Sequence, residues 1–154
     1  MWVGGVRVII TNEDKTEILM VRQHHEGRDI WMVPGGGIED GENSIEAAIR
    51  EAKEETDLDI DVVGVAWHIE EVSEARGQRF VNYMVAKITG GELKLGSDPE
   101  LAPDKQVLRE VRFMNKKEID SLENIYPKFF NDEIWQVLSD DLNGMTYYKL
   151  RYQD

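Results

Sequence analysis

Pro34-Gly-Gly-Gly-Ile-Glu-Asp-Gly-Glu-Asn-Ser-Ile-Glu-Ala-Ala-Ile-Arg-Glu-Ala-Lys-Glu-Glu-Thr-Asp-Leu58 begins as a glycine-rich loop and continues as a short helix with clustered acids. Asn43 is a good N-cap residue and Glu46 follows three positions later, close to a capping box. Ile45, Ala48, Ile49, Ala52 and Thr56 recur at helical spacing and form the expected buried stripe. Glu51 and Glu55 fall one turn apart on a neighbouring face, with Glu54 beside them. Like charges this close repel by a few tenths of a kcal/mol, so something must offset them. Mg²⁺ does so well, because it wants oxygen ligands and commonly shares them with substrate phosphates. Ahead of the helix, Gly35, Gly36 and Gly37 permit positive φ and close backbone approach, and Pro34 fixes the entry. Gly41 marks a second tight turn.

A run of acids on a helix is more often a solvated face than a site. Here the glycine run, the Arg50-Glu51 pair and the Glu54-Glu55 pair stand in one register. That register resembles the signature of the Nudix hydrolases, G-x5-E-x7-R-E-U-x-E-E-x-G-U with U aliphatic. Gly36, Glu42, Arg50, Glu51, Glu54, Glu55 and Leu58 match it. Ala52 is a small occupant of the first U position. Asp57 replaces the glycine just past the helix end, where a left-handed residue is expected and Asp tolerates that conformation better than most.

The resemblance implies a Nudix-type α/β/α sandwich with a mixed β-sheet. It also implies a Mg²⁺-dependent hydrolase, with Mn²⁺ as a substitute, that cleaves a nucleoside diphosphate linked to another moiety by attack of water on phosphorus. Carried onto this chain, Glu51 and Glu55 become metal ligands with the Gly35 carbonyl. Glu54 becomes a third ligand or the general base, and Arg50 orients a glutamate such as Glu42. A further carboxylate from a later segment is expected, with Asp98, Glu100, Asp104, Glu70 and Glu71 as candidates. Motifs that separate subgroups are missing: the Ser-Gln-Pro-Trp-Pro-Phe-Pro-type run of NADH hydrolases, a proline of ADP-ribose hydrolases (Ser73 stands there), and a tyrosine of dinucleoside polyphosphate hydrolases (Ala75 and Arg76). A nucleoside triphosphate is left as the first substrate class, ahead of ADP-ribose or a nucleotide sugar. A nucleotide-sensing module without turnover is the competing function, and intact Glu51, Glu54 and Glu55 argue against it.

The rest of the chain fits one domain over residues 1–154. Hydrophobic residues make up 41% and charged residues 32%, ordinary for a globular protein. No apolar run reaches the roughly 18 residues of a membrane helix, and no secretory leader is visible. Cysteine is absent, so no disulfide or thiolate site forms and a cytoplasmic location is expected. With 18 basic against 31 acidic residues the net charge is -13, which argues against nucleic acid as a partner. A small polyanionic substrate then needs the charge inverted locally, by metal ions and a few cationic side chains. The neighbourhood richest in cations is Arg22, His24, His25 and Arg28. There Arg22 and His24 are candidate phosphate contacts and Trp31 a candidate stacking surface, with a core role for Trp31 as its alternative.

Strands are expected over 2–11, 17–23, 30–33, 59–72, 79–89 and 107–114, with a polar loop over 24–29 and a bulge at Gly64. Asn115 caps a short helix over 116–122. A final amphipathic helix over 128–142 carries Phe129, Phe130, Ile134, Trp135, Leu138 and Leu142, and Gly144 ends it. Its aromatic face suits a core, and equally a homodimer interface. Residues 147–152 are expected to be extended.

Overall fold

The computed structural model describes residues 3–75 and 77–140. Seven strands form one mixed sheet: β1 (Val3–Thr11), β2 (Glu17–His25), β3 (Arg28–Met32), β4 (Gly35–Gly37), β5 (Leu58–Ser73), β6 (Gly77–Gly91) and β7 (Leu108–Asn115). The spatial order is β3-β2-β1-β6-β5, with β4 against β1 and β7 against β2. Among these seven strands only β1 and β6 pair with each other in parallel.

Side chains alternate between the faces of a strand, and β1 shows the consequence. Val6, Val8 and Ile10 pack with Ala47, Ala48 and Ala52 of helix α1 (Ser44–Thr56). Ile9 points the other way, into a core with Phe130, Ile134 and Leu138 of helix α3 (Phe130–Ser139). Ile119 of the short helix α2 (Lys116–Asp120) joins that second core. The sheet therefore lies between α1 and the α2–α3 pair, the sandwich expected above. No helix among the described residues is long and apolar enough to cross a membrane.

The glycine stretch is not a loop of positive φ. β1 and β2 pair only at Thr11 and Ile18 and then part, and Gly35–Gly37 enters the gap as a short strand against Gly5–Arg7. Among the described residues the left-handed glycines are Gly27, Gly41, Gly77 and Gly91. At Gly35 and Gly36 the need is for a missing Cβ instead. A Cβ on Gly35 would stand 2.1 Å from the Val6 carbonyl oxygen, and one on Gly36 would stand 2.4 Å from Glu51 Oε1.

Helix α1 starts as expected: Asn43 and Glu46 form both halves of a capping box. It ends on Asp57 at φ 62°, in the left-handed region. The buried stripe differs from the expected one. Ala47, Ala48, Glu51, Ala52, Glu55 and Thr56 are buried, whereas Ile49 is 41% exposed. Alanines let the helix approach the sheet closely, and the turn of its axis carries two carboxylates inward. The last carbonyls of α1 do not rely on water. Lys94, Gly96 and Ser97 donate backbone N–H groups to Thr56, Glu55 and Glu54 at 2.9, 2.8 and 3.1 Å.

Three further features are local. The polar loop over 24–29 is a tight hairpin, with Glu26 and Gly27 at φ 50° and 81° joining β2 to β3. The bulge near Gly64 appears as a register shift between Val62 and Gly64. Helix α3 covers the middle of the span expected for it, while Leu142, Gly144 and 147–152 lie outside the described residues.

Candidate active site

Arg50 is the hub of the carboxylate cluster. Its Nε and Nη2 donate to the two oxygens of Glu42 at 2.8 and 2.9 Å, a bidentate clamp that a lysine could not make. Nη1 donates to Glu51 Oε1 at 3.0 Å and reaches Glu54 at 3.3 Å, and Nη2 also donates to the Gly37 carbonyl at 3.0 Å. The Arg50 hydrogen bonds hold the Glu42 carboxyl below its ordinary range. One guanidinium thus ties the helix, the turn at Glu42 and the β4 backbone together.

Glu51 and Glu55 sit deeper, at 9% and 8% exposure. Burial pushes the Glu55 carboxyl up to about 8, against the opposing pull of Arg7. Burial raises the Glu51 carboxyl too, with Arg50 opposing. The backbone N–H of Gly35 donates to Glu55 Oε2 at 2.9 Å, so the short strand β4 lies directly on the buried acids.

These donors suit a hard divalent cation: they are all oxygen, two are buried acids, and the missing Cβ of Gly36 lets the Glu51 carboxylate lie directly against the β4 backbone. The present arrangement turns Glu51 and Glu54 onto Arg50. Among the described residues no three acidic or histidine side chains stand in a ligating geometry.

A cleft of about 500 Å³ opens over the cluster. Its floor is Gly35–Gly37 with Glu51, Glu54 and Glu55, and its far wall is the loop bearing Asp98, Pro99, Glu100 and Leu101. Of the later carboxylates considered, Asp98 and Glu100 line the cleft. Asp104 is not in the lining. Glu70 lies 3.6 Å from His68, and Glu71 accepts from the Tyr126 hydroxyl and lies 3.5 Å from Arg79.

Arg22, His24 and Trp31 are not brought into this cleft. Strand alternation decides it: Gln23 and His25 of β2 line the cleft, and their neighbours face the α3 side. Arg22 pairs with Asp29 at 2.8 Å and Glu110 at 3.2 Å, and His24 pairs with Asp29 at 2.7 Å. Trp31 packs on the α3-side core, with the guanidinium groups of Arg22 and Arg112 over its ring at 5.9 and 5.7 Å.

Arg7 is a cleft residue that the sequence reading did not single out. It lines the cleft, and its Nη1 donates to the Val33 carbonyl at 3.1 Å. A lone charge inside the apolar run Val6-Arg7-Val8-Ile9-Ile10 was the available signal.

The geometry reproduces the register of the signature in three dimensions, and the NUDIX domain family matches residues 1–132. The chain belongs to the Nudix family. It is 35% identical over 97 residues to an 8-oxo-dGDP phosphatase of Mus musculus, covering 62% of this chain and 28% of that protein. It is 33% identical over 96 residues to an ADP-ribose pyrophosphatase of Methanocaldococcus jannaschii, covering 60% of this chain and 56% of that one. The match thus spans less than two thirds of either relative. A NUDIX hydrolase from Nitrosomonas europaea superposes with a TM-score of 0.75 at 17% identity, over 99% of this chain and 98% of its own, which establishes the shared fold.

Proposed function

We propose that this protein hydrolyses a phosphoric anhydride bond in a nucleoside diphosphate linked to a further moiety, using Mg²⁺, with Mn²⁺ as a substitute. The observation that carries this reading is the Arg50-centred carboxylate cluster under β4, with Glu51 and Glu55 buried at the floor of a cleft. Glu51, Glu55 and the Gly35 carbonyl would hold the cation, which when bound neutralises pyrophosphate charge and lowers the pKa of a water.

The chain's own groups supply the rest. Glu54, on the cleft side of α1, takes the proton from the attacking water. Arg50 orients the glutamates through its clamp on Glu42. Arg7, hydrogen-bonded to a backbone carbonyl, presents positive charge to a substrate phosphate. Glu100 is assigned as the loop carboxylate of the site: it and Asp98 both line the cleft, and Asp98 Oδ1 already accepts from the Glu100 backbone N–H at 2.9 Å. Phosphoryl transfer asks mainly for positioning and electrostatics, so no protein nucleophile is assigned.

A nucleoside triphosphate is the first substrate class. ADP-ribose and nucleotide sugars follow, and an 8-oxo-dGDP-type nucleotide is added by the mouse relative. The test is phosphate or pyrophosphate release from a panel: the common nucleoside triphosphates, 8-oxo-dGDP and 8-oxo-dGTP, ADP-ribose, a nucleotide sugar, NADH and a dinucleoside polyphosphate. Each is run with Mg²⁺, Mn²⁺ and EDTA. Metal-dependent cleavage of one class supports the reading. Silence across the panel, with a nucleotide that still raises the melting temperature, would move the sensing module to the front.

A further inference from the structure

The far wall of the cleft is an exposed loop, and burial does not hold it: Asp98, Pro99, Glu100 and Leu101 are all exposed. What holds it is the side-chain amide of Gln106, just before β7. Gln106 Oε1 accepts from the Asp98 backbone N–H at 2.7 Å. Its Nε2 donates to the carbonyls of Asp98 and Leu101, each at 2.8 Å. A primary amide offers a carbonyl acceptor and two N–H donors, so it can pair with a backbone N–H and two backbone carbonyls at once.

Both ends of the loop are fixed elsewhere. Gly96 and Ser97 hang on the carbonyls of Glu55 and Glu54, the residues of the cluster itself. Gly96 has no room for a side chain: a Cβ there would lie 1.8 Å from the Glu54 carbonyl oxygen. At the other end the Val107 carbonyl accepts from His24 N–H at 2.8 Å. Arg109 Nη1 donates to the Gln106 carbonyl at 2.5 Å, fixing the backbone from which the amide projects. Between these anchors the turn is closed by Leu101 N–H on the Asp98 carbonyl at 3.1 Å, and Gln106 clips that turn to the base of the loop.

We propose that Gln106 is a positioning residue, whose amide holds the Asp98–Leu101 turn so that the Glu100 carboxylate faces the helix carboxylates across the cleft. Its consequence for turnover rests on the pyrophosphohydrolase reading; the clip itself does not.

Two measurements on the full chain test it. The first is hydrogen exchange of the metal-free Gln106→Ala protein. Amides in 97–106 should exchange at least about tenfold faster than in the wild type, with the α1 amides unchanged. The second is a cycle of Gln106→Ala, Glu100→Gln and the double variant on whichever nucleotide the wild type cleaves. Gln106→Ala should lower kcat by about tenfold to a hundredfold with KM little changed, as expected for a misplaced group. It should cost nothing further once Glu100 is Gln. Unchanged exchange would overturn the clip. Faster exchange with a kcat loss that adds to that of Glu100→Gln would overturn the route through Glu100. A wild type inactive on the whole panel would overturn the catalytic reading, and this role with it, while the exchange result would still report on the clip.

Discussion

At the scale of single residues the site is a problem of storing negative charge. Glu55 is buried with its carboxyl raised to about 8, well above the ordinary value of 4.5. A group raised in the folded state binds its proton more tightly there than in the unfolded chain. Its contribution to stability is therefore full below about pH 4.5 and is lost as pH rises toward about 8. The metal-free protein should thus lose melting temperature across that window, and Mg²⁺ should restore it at the alkaline end. Glu55→Gln keeps an acceptor for the Gly35 N–H, so in EDTA its melting temperature should be flatter from about pH 5 to pH 8 and insensitive to Mg²⁺. Thermal melts of the two proteins, with and without the cation, check this; an equal slope in both would contradict it. Arg50 is the second charge-storing device. Arg50→Lys loses the bidentate clamp on Glu42, and turnover should drop by about tenfold or more while charge is conserved.

At the scale of elements, two glycines separate chemistry from packing. A methyl group on Gly36 meets the flexible end of Glu51, 2.4 Å from Oε1. Gly36→Ala should therefore fold, with a melting temperature within about 4 °C of the wild type, but bind Mg²⁺ poorly and turn over slowly. A methyl group on Gly96 meets backbone, 1.8 Å from the Glu54 carbonyl oxygen. Gly96→Ala should cost about 1–3 kcal/mol in a urea titration, because neither α1 nor the loop that caps it can yield cheaply. The capping box gives a third element-scale measurement. Asn43→Ala should cost about 1 kcal/mol by the same titration, with turnover affected only as far as the N-terminus of α1 frays.

The same scale shows what was legible in the sequence. The N-cap at Asn43, the left-handed Asp57 and the bulge at Gly64 depend on chain within a few residues of each, and the sequence displays them directly. The rotation of α1 does not: its apolar residues include Ile49, which the structure exposes, while the sheet and β4 draw Glu51 and Glu55 inward. Arg22, His24 and Trp31 lie outside the cleft for a related reason, and Trp31 takes the core role weighed for it above. Their cationic and aromatic character was visible, but the face of β2 and β3 on which they lie was set by strand pairing. The glycine stretch is a place of close approach, against Val6 and Glu51, and its backbone is extended rather than left-handed.

At the scale of the whole molecule, one sheet with α1 on one face and α3 on the other brings residues from β1, β4, α1 and the 96–106 loop to a single cleft. The strongly acidic chain concentrates acids there too, so the proposed function requires a cation and Arg7 to admit the substrate's own negative charge. That dependence can be read in the turnover of Glu54→Gln beside the wild type, in Mg²⁺, on the nucleotide the panel identifies, with circular dichroism to show that both are folded. A fall of about a hundredfold or more with an unchanged fold is expected if Glu54 takes the water's proton at a cation-loaded cluster. A folded Glu54→Gln protein that turns over near the wild-type rate would contradict it.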